Sequence, residues 1–167
     1  MGNDCSKPCK KQRKLTNAQE RSSIQSVKRF SSASNRETVN QYSLTSFKEV
    51  QSLAHDNNLV QLKKYLDTGF LIDFPLDQSG WTLLHLGSQK GNLKLVELLL
   101  NYNPYLDAQE LGEGWTPLMV SAVNDFVSIF LLLVQSGADK FLKDKSGKNV
   151  FDLAQKYKST NILKLLA

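Results

Sequence analysis

Along the body of the chain, apolar residues recur with a helical period, and the same pattern returns at a fixed interval. From Thr82 the sequence runs TLLHLGSQKGNLKLVELLL, and from Thr116 it runs TPLMVSAVNDFVSIFLLLV. From Asn149 it runs NVFDLAQKYKSTNILKLLA, and the same frame extended backwards gives KEVQSLAHDNNLVQLKKYL from Lys48. Each copy opens with apolar or small residues at helical spacing, such as Leu84, Gly87 and Ser88, or Leu118, Ser121 and Ala122. A tight turn follows, as at Lys90-Gly91-Asn92, and then a thicker apolar stripe, Leu93, Val96, Leu99 and Leu100. Such spacing predicts two amphipathic helices per copy. Small residues on the first helix let the second pack close.

Landmarks outside the helices keep the same period. Gly80-Trp81-Thr82 returns as Gly114-Trp115-Thr116 after 34 residues, and Gly147-Lys148-Asn149 follows after another 33. Gly69 and Gly137 end second helices where a left-handed residue is favoured, and Asn103, at the same place, tolerates that conformation. The linkers Asp73–Gly80 and Asp107–Gly114 are each one residue longer than Phe141–Gly147, which accounts for 34 against 33. No copy buries its stripe alone, so the copies must stack.

The segments T-P-L-M-V-S-A and Q-S-G-A-D, with T-L-L-H and V-E-L-L-L in the preceding copy, resemble the ankyrin repeat over about residues 45–167. The resemblance implies an all-α ankyrin-repeat solenoid of about four helix-turn-helix units, near 45–78, 79–112, 113–145 and 146–167. A basic tail, residues 1–44, precedes it. Leu83 and Val150 depart from the family's proline, kept at Pro117, and Met119 and Asp152 depart from the histidine kept at His85. The two longer fingers are expected to be irregular. The first copy reads as an N-terminal cap, and the last, with Lys156, Lys158 and Lys164, as a C-terminal one.

The resemblance also implies a non-enzymatic array that binds another protein through the exposed side of its first helices and its finger tips. Carried over residue by residue, this face holds Phe47, Trp81 and Trp115, then Ser52, His55 and Asp56, then Leu86, Gln89 and Lys90, then Val120, Val123 and Asn124. The tips would be Leu76, Asp77 and Gln78, and Leu111, Gly112 and Glu113. Buried aromatic and aliphatic side chains are the usual anchors of an interface. The alternative for Trp81 and Trp115 is that their rings only cover the finger bases. His85 falls on the family's turn-stabilising histidine. Two histidines without further ligands make no metal site, Ser121 has no base beside it, and the glycines follow repeat geometry rather than a phosphate-cradling motif. No cofactor and no small-molecule substrate are expected.

Charge divides the chain in two. Residues 1–40 carry nine Lys/Arg against three acidic residues, a balance of +6, whereas residues 41–167 carry twelve against thirteen, a balance of −1. The tail is rich in Ser, Asn and Gln with few large apolar residues, which predicts disorder in isolation. Its first residues, MGNDCS, fit the N-myristoylation pattern at Gly2. One such chain binds membranes weakly, so a second signal is needed. Cys5 and Cys9 offer palmitoylation sites, and Lys7, Lys10, Lys11, Arg13 and Lys14 offer attraction to an anionic leaflet. Ser22, Ser23, Ser31 and Ser32 follow basic residues and are candidate phosphorylation sites opposing that attraction. The longest unbroken apolar run, Ile129 to Val134, is far below the ~18 residues of a membrane span. The expected setting is the cytoplasmic face of a membrane. The alternative is a soluble or nuclear protein whose basic tail contacts nucleic acid or an import receptor.

Overall fold

The computed structural model describes residues 44–166, with side chains from Lys48 to Leu165. The tail assignments at Gly2, Cys5 and Cys9, at Lys7 to Lys14 and at Ser22 to Ser32 lie outside the described residues, as does the side chain of Phe47. Every regular element among the described residues is an α-helix, as the periodicity predicts. They form four pairs: α1 (Leu44–His55) with α2 (Leu59–Asp67), α3 (Leu83–Gln89) with α4 (Leu93–Leu100), α5 (Pro117–Val123) with α6 (Val127–Gln135), and α7 (Val150–Tyr157) with α8 (Thr160–Leu166). At 12 residues, α1 is longer than the other first helices.

Short polar side chains start these helices. Thr82, Thr116 and Asn149 cap the first helices by accepting the backbone N–H of His85, Met119 and Asp152. Asn58 and Asn92 cap second helices by accepting from Gln61 and Leu95. Such caps satisfy donors that the first turn leaves unpaired. The third copy breaks the rule at Phe126, which offers no side-chain cap. Its ring lies over Gly91 instead, where an added Cβ would stand 2.9 Å from it. Gly91 also has φ +66°, so a side chain there would be strained as well as crowded.

The turn between helices needs a left-handed residue in every copy. Asn57, Gly91, Asp125 and Lys158 fill that place with φ between 57° and 66°. Gly69, Asn103 and Gly137 follow the second helices with positive φ, in the conformation their sequence positions predict.

The apolar stripes merge into one continuous core from Val50 to Ile162. Leu62, Leu95, Val96, Leu99, Leu133 and Ile162 have no exposed surface. Burying a side chain of this size contributes about 1.5–3 kcal/mol. The first helices are small where they must be: a Cβ on Gly87 would stand 2.9 Å from Val96, and Ala54, Ser88 and Ala122 are fully buried.

Candidate protein-interaction surface

The loops joining one copy to the next project as fingers, each closed by a backbone bond at its base. Leu76 N–H donates to Trp81 O, Glu110 to Trp115 and Asp144 to Lys148. A carboxylate fills the bend. Asp77 accepts from Ser79 and Trp81 N–H, Glu110 from Gly112, Gly114 and Trp115, and Asp144 from Ser146 and Lys148. The loop is one residue longer in the second finger than in the third, and Glu110 is one methylene longer than Asp144, so each carboxylate reaches the N–H of the residue after the finger's last glycine, Trp115 and Lys148. In the first finger the two tasks fall to neighbours, Leu76 for the backbone and Asp77 for the cradle. The extra residues are thus absorbed without loss of hydrogen bonds.

Fingers lean on fingers. Leu111 N–H donates to Ser79 O at 2.6 Å, and Lys145 N–H to Glu113 O at 2.8 Å. The Lys145 ammonium reaches Leu111 O, and the Gln109 amide spans Gly114 O and Lys143 O. Lower down, Asp73 accepts from Tyr105 N–H and Asp107 from Asp139 N–H. Burial pushes the Asp107 carboxyl up from its ordinary value.

His85 is fully buried at the finger base. Its Nδ1 lies 3.2 Å from Thr82 N and 2.9 Å from Thr82 Oγ1. Because Nδ1 accepts from the Thr82 N–H, Nε2 carries the proton and donates to Trp115 O at 3.0 Å. Burial lowers its pKa to about 4, so the ring is neutral at physiological pH. Met119 takes this place in the next copy and is also buried, whereas Asp152 in the last copy caps Asn149 N–H.

The face expected to meet a partner is assembled unevenly. His55, Asp56, Gln89, Lys90 and Asn124 are exposed at the ends of α1, α3 and α5, and Val123 is half-buried there. Ser52 Oγ donates to Asp56, and the Lys90 ammonium stands 3.3 Å from His55 Nδ1. Among the tip residues, Leu111 is 63% exposed, Leu76 is half-buried, and Asp77, Gln78, Gly112 and Glu113 are exposed. Trp81 and Trp115 are half-buried. The Trp81 ring lies 5.4 Å from that of His85. Trp115 meets Tyr157 of the next copy edge-on at 5.8 Å, and its Nε1 is buried without a hydrogen-bond partner.

Two expected surface anchors are corrected. Val120 is 1% exposed and Leu86 9% exposed, so neither stands on the surface. α3 and α5 are only about two turns long, and they pack against neighbouring first helices as well as their own second helix. In α3 every residue from Leu83 to Ser88 is consequently buried. Lys156 and Tyr157 are exposed here too, although they are absent from the expected face. They continue the register of His55-Asp56, Gln89-Lys90 and Val123-Asn124, and that register is the signal that would have found them.

Stacked helix pairs with hydrogen-bonded fingers define a repeat solenoid of the kind built for protein interaction. A family profile described as "Ankyrin repeats (3 copies)" matches residues 50–144, and the chain belongs to the ankyrin-repeat family. The match ends before α7, so the fourth helix pair lies beyond it. The chain is 36% identical over 90 residues to ankyrin repeat and SAM domain-containing protein 6 of Mus musculus, covering 53% of this chain and 10% of that protein. It is 31% identical over 84 residues to Rabankyrin-5 of Homo sapiens, covering 44% and 7%. It is 29% identical over 92 residues to the NAD-capped RNA hydrolase NUDT12 of Homo sapiens, covering 55% and 20%. The chain thus spans a tenth or less of the first two proteins and a fifth of the third. The hydrolase name describes that relative, of which the matched segment is a fifth.

Proposed function

We propose that this protein is a non-enzymatic adaptor, held at a membrane by an acylated basic tail, whose array grips a partner protein. The row at the ends of the first helices, beside the half-exposed rings of Trp81 and Trp115 and the tip of Leu111, carries the reading. It offers aromatic and aliphatic area next to a changing set of polar groups, the composition of an interface centre and its rim. The row also changes character along the array, from His55 and Asp56 through Lys90 to Asn124, which suits reading one partner in one direction. The tail supplies attachment through Gly2, Cys5 and Cys9, reinforced by Lys7, Lys10, Lys11, Arg13 and Lys14, with Ser22, Ser23, Ser31 and Ser32 as its control points.

Affinity capture from cells tests the array. The variants Lys90→Glu, Leu111→Asp and Asn124→Arg alter exposed residues only, and each should lose the partner while keeping the wild-type melting temperature. Capture unchanged by all three would reject this face. Fractionation tests the tail: Gly2→Ala and Cys5→Ser should release the protein from membranes. A second reading, a soluble or nuclear protein, rests on the compact run Lys10-Lys11-Gln12-Arg13-Lys14. It predicts that wild type is already soluble and that Gly2→Ala changes nothing.

A further inference from the structure

The last copy differs from the three before it in charge and in the face it turns outward. Residues 138–167 hold seven lysines against three aspartates, a balance of +4, while residues 41–137 hold five against ten, a balance of −5. The three aspartates accept from backbone N–H groups of their own copy, and Asp144 is buried. Asp139 accepts from Phe141 N–H, Asp144 from Ser146 and Lys148 N–H, and Asp152 from Asn149 N–H.

The outer face of this copy also lacks what joins copies elsewhere. Phe141 stands in the register of Asp73 and Asp107, whose carboxylates accept an N–H of the following copy. Gln155 is exposed in the register of Ala54, Ser88 and Ala122, which are fully buried. Gly80 and Gly114 lie under Leu111 and Lys145 of the next finger, but a Cβ on Gly147 would meet nothing within 4 Å. Large apolar side chains stay exposed on this copy among its lysines: Phe141 is 65% exposed, Leu165 49% and Tyr157 43%. Phe151 and Leu163 are half-buried, although their counterparts Leu118 and Phe130 are buried. Phe141 stacks on Phe151 at 6.0 Å. The Lys140 ammonium lies 5.4 Å from the Phe141 ring and the Lys156 ammonium 5.0 Å from the Tyr157 ring.

We propose that this end of the array is a contact surface for an anionic lipid leaflet. Another repeat finds neither an acceptor at Phe141 nor a small residue at Gln155. The tail, at +6, and the like end of a second copy share its sign and are repelled. Exposed rings beside ammonium groups suit a leaflet, where rings sit at headgroup level and lysine stems reach towards phosphates. The contact does not depend on acylation of Gly2. It would lay the array along the membrane instead of leaving it suspended from the tail.

The test uses full-length chain carrying Gly2→Ala, with Lys7, Lys10, Lys11, Arg13 and Lys14 changed to Gln, so that neither acylation nor the tail cluster supplies the binding. Its partition is measured on phosphatidylcholine vesicles with and without phosphatidylserine. Binding is expected only with phosphatidylserine. Lys140→Glu/Lys156→Glu/Lys164→Glu, and separately Phe141→Ser/Tyr157→Ser, should lower it by roughly tenfold or more with unchanged circular dichroism. Equal partition of all forms would overturn the proposal. So would binding of a Glu/Leu helical peptide at these residues without vesicle binding, or self-association that the same variants abolish, which would assign the end to an acidic protein or to a second copy.

Discussion

His85 donates from Nε2 to the carbonyl oxygen of Trp115, 3.0 Å away and 30 residues further along the chain. The bond ties the base of the first finger to that of the second, and it requires a neutral ring. Below pH 6.5 the unfolded chain gains a proton that the folded chain refuses until about pH 4. This contribution to stability is therefore complete above pH 6.5 and falls as pH drops towards 4, by at most roughly 3 kcal/mol. Urea unfolding of wild type and His85→Gln between pH 7 and pH 4.5 should show a steeper fall for wild type. Parallel slopes would contradict the assigned burial.

Replacing His85 by Ala at pH 7 leaves Trp115 O short of one donor and opens a space in the core. The expected cost is about 2–4 kcal/mol, read as a lower denaturant midpoint at unchanged slope.

Gly91 and Gly137 both have positive φ, but only Gly91 lies under another side chain, the ring of Phe126. Gly137→Ala should cost about 1–2 kcal/mol from backbone strain alone. Gly91→Ala should cost clearly more, and Gly91→Ala/Phe126→Leu should recover part of the difference. A double-mutant cycle with no coupling would mean that the ring contact is immaterial.

Asp125 lies in the turn of the third copy and accepts from Asn161 N–H, Ile162 N–H and the Asn161 amide at the start of α8. Asp125→Ala should cost about 1–2 kcal/mol. Hydrogen exchange should quicken first in α8. Uniform acceleration across all four copies would show that the last pair does not open by itself.

The period, the helix pairs, the left-handed residues at Gly69, Asn103 and Gly137, and the structural place of His85 were legible in the sequence because each follows from spacing or backbone preference. The inward turn of Val120 and Leu86 was not, because helical phase says which residues share a face but not how many neighbours enclose a two-turn helix. The meeting of Trp115 with Tyr157 was hidden for a related reason: it crosses a copy boundary 42 residues apart, and only the register of the repeats relates the two positions. Asn57, Asp125 and Lys158 adopt left-handed conformations at positions where only Gly91 advertised the turn by its residue type.

The carboxylates of Asp77, Glu110 and Asp144 are closed upon by the amides of their own fingers. Hydrogen bonds of that length are little affected by ionic strength, whereas attraction between exposed charges fades beyond a Debye length of about 8 Å at physiological salt. The fingers should therefore keep their shape from dilute buffer to concentrated brine, while whatever the exposed lysines attract is released. Salt thus offers a way to separate what this molecule is from what it holds.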